Sequence, residues 1–188
     1  MHASQKRTGS SSTIAERRAV DDLFSLAYEE LRRVAKTYRK DAVGAAINST
    51  GLVHEAWLKL RDSPKVASVT ILHFKAIAAK AMRQILIDEA RRRGARKRGG
   101  AGEVVFVPLD DVAEPMVTSL DDLIALDAAL DELAHLSSRQ AQLVESRFFG
   151  GLDVAEAAEL LGVSESAMER DWRAAKAWLA GRMRRQSE

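Results

Sequence analysis

Apolar side chains recur every three or four residues along most of this chain, which is the spacing that places them on one side of an α-helix. In the first part of the sequence they predict helices over 19–38, 52–62 and 71–92. Pro64 interrupts the pattern before the third helix, and the stretch RDSPKVASV is expected to be a loop. The three helices together form a first predicted block, residues 19–93.

A stretch without this periodicity follows the first block. Residues 94–118 contain four glycines, two prolines and a short β-prone run, VVFV, and are predicted to form a flexible linker. Leucines at helical spacing return in 119–184, which is the second predicted block. Residues 1–18 have no apolar core and are predicted to be a disordered tail. The expected fold class is all-α, with two small helical domains joined by the linker.

Polar residues predict where helices of the second block begin and end. Ser137 with Gln140, and Asp153 with Glu156, have the three-residue spacing of a capping box. The glycine pair at 150–151 is expected to end the helix that starts at the first of these boxes.

The second block contains the sequence VAEAAELLGVSESAMERDW, which has the pattern of a helix-turn-helix motif. Small Ala157 and Ala158 allow a second helix to cross closely, and Gly162 permits a tight turn. An ordinary helical hairpin is the alternative interpretation. In a DNA-binding motif, the first turns of the second helix enter the major groove. The side chains predicted to face DNA there are Ser164, Glu165, Ser166, Glu169, Arg170 and Arg173.

Charge is segregated along the chain although the net charge is only +2. The stretch RRRGARKR, 91–98, holds six positive residues in eight, whereas acidic residues gather between 110 and 122. Such segregation suits a protein that meets a polyanion at chosen surfaces. The alternative is that the basic run is solvated and complements a helix C-terminus.

The sequence offers no catalytic constellation. There are no cysteines, and the four histidines are scattered, so we predict no metal site, no cofactor and no enzymatic activity. No apolar run approaches the roughly 20 residues that span a bilayer, and a cytoplasmic protein without membrane partners is expected.

The ordered segments LVHEAWLKL, HFKAIAAKAMRQILIDEARRRGARKRGG and RFFGGLDVAEAAELLGVS, followed by RDWRAAKAWL, resemble bacterial extracytoplasmic-function (ECF) sigma factors over residues 20–183. The resemblance implies an alternative sigma factor that binds core RNA polymerase and promoter DNA and directs transcription initiation. The first block would bind the clamp helices of the largest subunit and the −10 element. The second block would bind the −35 element and the flap of the second-largest subunit. A dimeric helix-turn-helix regulator that binds operator DNA is the alternative.

The resemblance also assigns roles within the first block and the linker. The loop around Lys65 and Ser68 would receive a flipped base, and the acidic linker (Asp110, Asp111 and Glu114) would pass through polymerase. The long helix would present further side chains to the −10 DNA, namely Arg83, Gln84, Asp88, Arg91 and Arg92.

One segment departs from the family pattern. Many members carry acidic residues before L-V-x-E, where they meet basic side chains of the polymerase clamp, but this chain has Asn48, Ser49, Thr50 and Gly51 there. Either Thr50 or Ser49 caps the helix, or a Ser/Thr protein kinase phosphorylates one of them, Thr50 being favoured. A phosphate would restore a charge of roughly −1.5 to −2. The predicted polymerase contacts are Asn48, Ser49, Thr50, Leu52 and Glu55.

Overall fold

The computed structural model describes residues 5–37, 48–96 and 119–185. These residues form an all-α fold, as predicted from the apolar spacing. Of the predicted linker 94–118, residues 97–118, with the acidic residues and VVFV, lie outside the described residues, whereas residues 94–96 are helical. The helices are α1 (Gln5–Thr37), α2 (Ser49–Leu60), α3 (Ile71–Arg96), α4 (Leu120–Leu136), α5 (Ser138–Phe148), α6 (Val154–Leu161) and α7 (Glu165–Arg184).

Helix α1 begins well before the position that the apolar pattern indicates. It starts at Gln5, so residues 5–18, predicted to belong to a disordered tail, are helical. Extending an existing helix adds one hydrogen bond per residue fixed, without a new nucleation cost. The extension is also tied to the first block by Arg17, whose Nε lies 2.9 Å from Oδ1 of Asp62.

Helix α3 is the central element of the fold and contacts α1, α2, α4, α5 and α6. Phe74, Ala78 and Met82 are buried, as the apolar stripe predicts. Ile87 and Ala90 are also buried, so the helix has more than one buried face. One continuous core therefore includes residues of both predicted blocks, which pack against each other around α3.

The turn after α5 brings the two blocks into close contact. Gly151 has a φ of +72°, a conformation that glycine adopts without strain. A Cβ atom at this position would lie 2.5 Å from Cγ2 of Val34 in α1. At Gly150 a Cβ would lie 3.0 Å from the Cβ of Ala79 in α3. The glycine pair ends α5 as predicted, and it also lets the turn approach the first block.

The predicted helix starts of the second block are largely confirmed. Asp153 accepts from the backbone N–H of Glu156, and the Glu156 carboxylate accepts from that of Asp153, which completes a capping box at α6. Ser137 accepts from the N–H of Gln140, but the Gln140 side chain reaches toward another helix. Of the capping box predicted at Ser137, only the hydrogen bond to the Ser137 side chain therefore forms.

Replacing either of two glycines of the second block by alanine should change the stability of the fold, in opposite directions. Gly162 caps α6 with a φ of +65°, so Gly162→Ala should destabilise the fold by about 1–2 kcal/mol. Gly181 lies inside α7 with open space around a built Cβ, so Gly181→Ala should stabilise it by about 0.5–1 kcal/mol. Urea unfolding of both variants gives the two signs, and shifts in the same direction would contradict this explanation.

Candidate nucleic-acid interface

The helix-turn-helix is held by a small core of its own. Ala157, Ala158, Leu143 and Met168 are buried together, and Val163 in the turn packs against them. This contact fixes α7 across α6 and leaves the opposite side of α7 to solvent. The arrangement agrees with the predicted motif.

The side chains predicted to face DNA from α7 are exposed. Ser164 caps the helix by accepting from the N–H of Ala167 at 3.3 Å. Arg173 turns back so that its Nε lies 3.4 Å from the carbonyl oxygen of Glu169. The exposed set consists of Ser164, Glu165, Ser166, Glu169, Arg170 and Arg173.

Asp171, which would repel a phosphate if it stood free, is paired inside the second block. Its carboxylate accepts from Nε of Arg139 at 2.7 Å, and its side chain is 13% exposed. Arg147 lies over the Trp172 ring at 4.3 Å from the centroid. These contacts join α5 to α7, and sequence spacing did not predict them.

Four of the five α3 residues predicted to face DNA are exposed: Gln84, Asp88, Arg91 and Arg92. Arg92 is paired with Glu89 along the helix at 3.1 Å. Arg91 is 59% exposed and lies 3.1 Å from Oδ2 of Asp127 in α4. Lys65 and Ser68 are exposed in the loop that precedes α3.

Arg83 is the exception, because its side chain is only 14% exposed. Its guanidinium donates to Asp127 and Asp131 of α4 and to Glu145 of α5. Burial lowers the pKa of Arg83, but the hydrogen bond to Asp131 and the charges of Asp127 and Glu145 outweigh it, so the pKa is raised. In this arrangement of the blocks three carboxylates of the second block cover Arg83, so its side chain does not face solvent, and its contact with DNA stays a prediction.

Lys75 is a second buried cation between the blocks, and sequence reasoning missed it. Its side chain is 4% exposed, with Nζ paired to Glu30 of α1 and 2.6 Å from Oε1 of Glu156 in α6. Burial lowers the pKa of Lys75, but the bonds to Glu156 and Glu30 raise it above the ordinary value. No spacing rule relates these three positions, since they come from three helices.

The residue that caps the start of α2 is neither of the two that were predicted to cap it. Asn48 is the cap, because its Oδ1 accepts from the N–H of Gly51 at 2.7 Å. The prediction that Ser49 or Thr50 caps the helix is wrong. Ser49 is buried at 8% exposure, whereas Thr50 and Glu55 are exposed. Leu52, predicted as a polymerase contact, is 2% exposed and packs in the core.

The described residues contain no cluster of three His, Asp or Glu side chains that could hold a metal ion. In the same ranges of the chain, no helix is both long enough and apolar enough to cross a membrane.

Comparisons with known proteins show which family the chain belongs to. The ECF RNA polymerase sigma factor SigL of Mycobacterium tuberculosis, matched in three strains, is 25% identical over 147 residues, covering 78% of this chain and 81% of SigL. No solved structure matches the chain significantly. The family model for the ECF sigma factor matches residues 11–185. Because that match spans nearly the whole sequence, the chain belongs to the ECF sigma factors, non-enzymatic factors that bind core RNA polymerase and promoter DNA in transcription initiation.

Proposed function

We propose that this sigma factor reads a promoter with two helices and docks on core RNA polymerase through the start of α2. Helix α7 reads the −35 element in the major groove, and α3 contacts the −10 element. The observation that carries the assignment is the helix-turn-helix of α6 and α7, whose outer face is polar and exposed. An exposed recognition helix held by a small core is the geometry that major-groove binding requires.

Transcription of fragmented chromosomal DNA tests the sigma role on every promoter of the genome at once. Core polymerase is incubated with the fragments, with and without this protein, and RNA 5′ ends are sequenced. We expect new start sites preceded by two unlike elements about two helical turns apart. Two-fold symmetric sites would instead favour a dimeric regulator. Start sites that never depend on the protein, phosphorylated or not, would overturn the proposal.

The same assay tests the recognition helix. Arg170→Ala is expected to lower transcription from the new start sites about tenfold, since one base contact contributes roughly 1–3 kcal/mol of discrimination. Arg33 is an exposed cation on α1, and Arg33→Ala provides a control with the same charge change. Equal activities of the two variants would remove α7 as the reading element.

We further propose that docking on polymerase depends on phosphorylation of Thr50. The first turn of α2 contains no acidic residue, so the charge that would meet a basic clamp is missing. Because Asn48 already caps the helix, the Thr50 hydroxyl is not needed for capping. Thr50 is exposed and therefore accessible to a kinase, whereas Ser49 is buried. The exposure of the two side chains therefore favours Thr50 over Ser49 as the phosphorylated residue.

A phosphate on Thr50 would lie in the first turn of α2, where the helix dipole favours negative charge. It would bring roughly −1.5 to −2 charge and three acceptor oxygens for arginine or lysine of the clamp. A hydrogen bond to a charged group contributes about 1.5–3 kcal/mol. One such bond is enough to raise the affinity for polymerase about tenfold or more.

Anisotropy titrations of labelled protein with core polymerase test the switch. The set comprises unmodified protein, protein with genetically encoded phosphothreonine at position 50, Thr50→Ala and Ser49→Ala. We expect the phosphothreonine form to bind at least about tenfold more tightly than the unmodified protein and Thr50→Ala. Ser49→Ala, once phosphorylated at Thr50, should bind like the phosphothreonine form. Equal, tight binding by the unmodified protein and Thr50→Ala would exclude the switch.

A further inference from the structure

We propose that the free protein is self-inhibited, with carboxylates of α4 and α5 occupying Arg83 and Arg91 in place of promoter DNA. The carboxylates belong to Asp127, Asp131 and Glu145, and we refer to them as the acidic face. The inference rests on the proposed role of α3 at the −10 element, and it adds a device that withholds part of this helix.

The acidic face uses the donors of Arg83 that a DNA phosphate would need. Nε lies 2.8 Å from Oδ1 of Asp127, Nη1 lies 3.1 Å from Oε1 of Glu145, and Nη2 lies 2.7 Å from Oδ1 of Asp131. The carbonyl oxygen of Asp127 accepts a further bond from Nη2 at 2.9 Å. Arginine binds phosphate and carboxylate through the same fork of donors. DNA therefore cannot engage this guanidinium while the acidic face is in place.

The acidic face is matched to cations that come from the other block. Asp127 and Asp131 are four residues apart on α4, a spacing at which like charges destabilise an isolated helix. Glu145 of α5 adds a third carboxylate at the same point. Arg83 and Arg91, both from α3, offset this repulsion. The arrangement is thus complementary to the basic side of α3.

Further contacts beside the acidic face hold the blocks together. Lys75 of α3 pairs with Glu156 of α6, and Gly151 lies against Val34 of α1. The DNA-facing side chains of α7 stay exposed in the same arrangement. Packing of the two blocks against each other therefore keeps Arg83 of α3 away from DNA while leaving α7 accessible to duplex DNA.

Removing the charge of the acidic face tests the inference in the full chain. The release variant carries Asp127→Asn, Asp131→Asn and Glu145→Gln. A control variant loses three exposed carboxylates of the same block that form no ion pair with α3, through Glu132→Gln, Glu159→Gln and Asp121→Asn. The two variants have the same net charge, so a general gain in attraction for DNA affects both equally.

Two measurements report opening and exposure of Arg83. Because the chain has no cysteine, Asp22→Cys on α1 and Ala174→Cys on α7 provide specific positions for a fluorophore pair. Energy transfer between them should fall in the release variant but not in the control. Fluorescein-labelled oligothymidine of about 20 nucleotides at low salt should bind the release variant at least about tenfold more tightly than the control, as expected when a closed state outnumbers the open one by that factor or more.

Adding Arg83→Gln to the release variant should abolish the gain in oligothymidine affinity. If the release variant loses its helical circular dichroism, Asp131→Asn alone replaces it, because this carboxylate is 69% exposed and contacts Arg83 at the rim. A gain that depends on Arg83 supports the inference; equal affinity and energy transfer in release and control variants overturn it. Neither readout involves polymerase, so failure of the transcription assay would count against the proposed function alone.

Discussion

Replacing Phe149 by alanine is expected to destabilise the folded chain by about 3–5 kcal/mol, the cost of removing a large side chain from a closely packed core. Phe149 is 1% exposed and packs in the core that both blocks share. Its ring also makes an edge contact with Phe148 at a centroid distance of 5.0 Å. The surrounding helices can only partly collapse into the space, so both lost contacts and a cavity contribute to the loss of stability.

The tryptophans allow each block to be followed separately during unfolding. Trp57 lies in α2, while Trp172 and Trp178 lie in α7. Trp57→Phe leaves signals from the second block only, and Trp172→Phe with Trp178→Phe leaves the first block only. With one shared core, Phe149→Ala should lower the urea midpoint by the same amount in both backgrounds.

A different result would separate the blocks energetically. If Phe149→Ala lowers the urea midpoint only in the background that reports on α7, the two blocks unfold independently and the shared core contributes little to cooperativity. Leu136→Ala is the matched control, because Leu136 is in the same block but 69% exposed. Surface substitutions of this kind change stability by roughly 0.5 kcal/mol or less.

Replacing Lys75 by methionine is expected to destabilise the protein by about 1–3 kcal/mol. Removing one partner of a fully buried ion pair costs about 3–5 kcal/mol. Here the two carboxylates left behind, of Glu30 and Glu156, are 50% and 32% exposed, so water screens part of their repulsion. Urea unfolding of Lys75→Met against the parent gives the difference.

A triple variant separates charge from packing at this site. Adding Glu30→Gln and Glu156→Gln to Lys75→Met removes the uncompensated carboxylates, so most of the lost stability should return. Glutamine at position 156 can still serve the capping box of α6. If the triple variant is no more stable than Lys75→Met, the loss comes from packing rather than charge. Because the pKa of Lys75 is raised, the stability that its positive charge contributes is present at neutral pH and is lost as the pH rises from 10.5 through the raised value.

Most of the secondary structure was readable from the sequence because it depends on neighbouring residues. The helical spacing of Leu123, Leu126, Leu130 and Leu133 predicted the buried side of α4. The Asp153 capping box and the left-handed turn at residue 162 also depend only on residues a few positions away. The exposed side of α7 followed from the same periodicity, which is why its predicted DNA-facing set is exposed as a whole.

The site at the start of α2 was only partly readable. The absence of carboxylates before Leu52 is a property of the sequence itself. Which residue caps the helix depends on local backbone geometry, and Asn48, Ser49 and Thr50 are all capable of that role. Only the folded chain shows that Asn48 caps, that Ser49 is buried and that Thr50 is exposed.

The sequence by itself determined most of the helices, the caps of α5 and α6, the helix-turn-helix and the segregation of basic and acidic segments, because these are set by local spacing and chemistry. Tertiary structure alone decided the environment of Arg83 and Lys75. Each of these cations meets carboxylates that lie more than 40 positions away on other helices. Such pairs depend on how α3 packs against its neighbouring helices in both blocks. The energy of that packing is spread over many contacts that no single stretch of sequence contains.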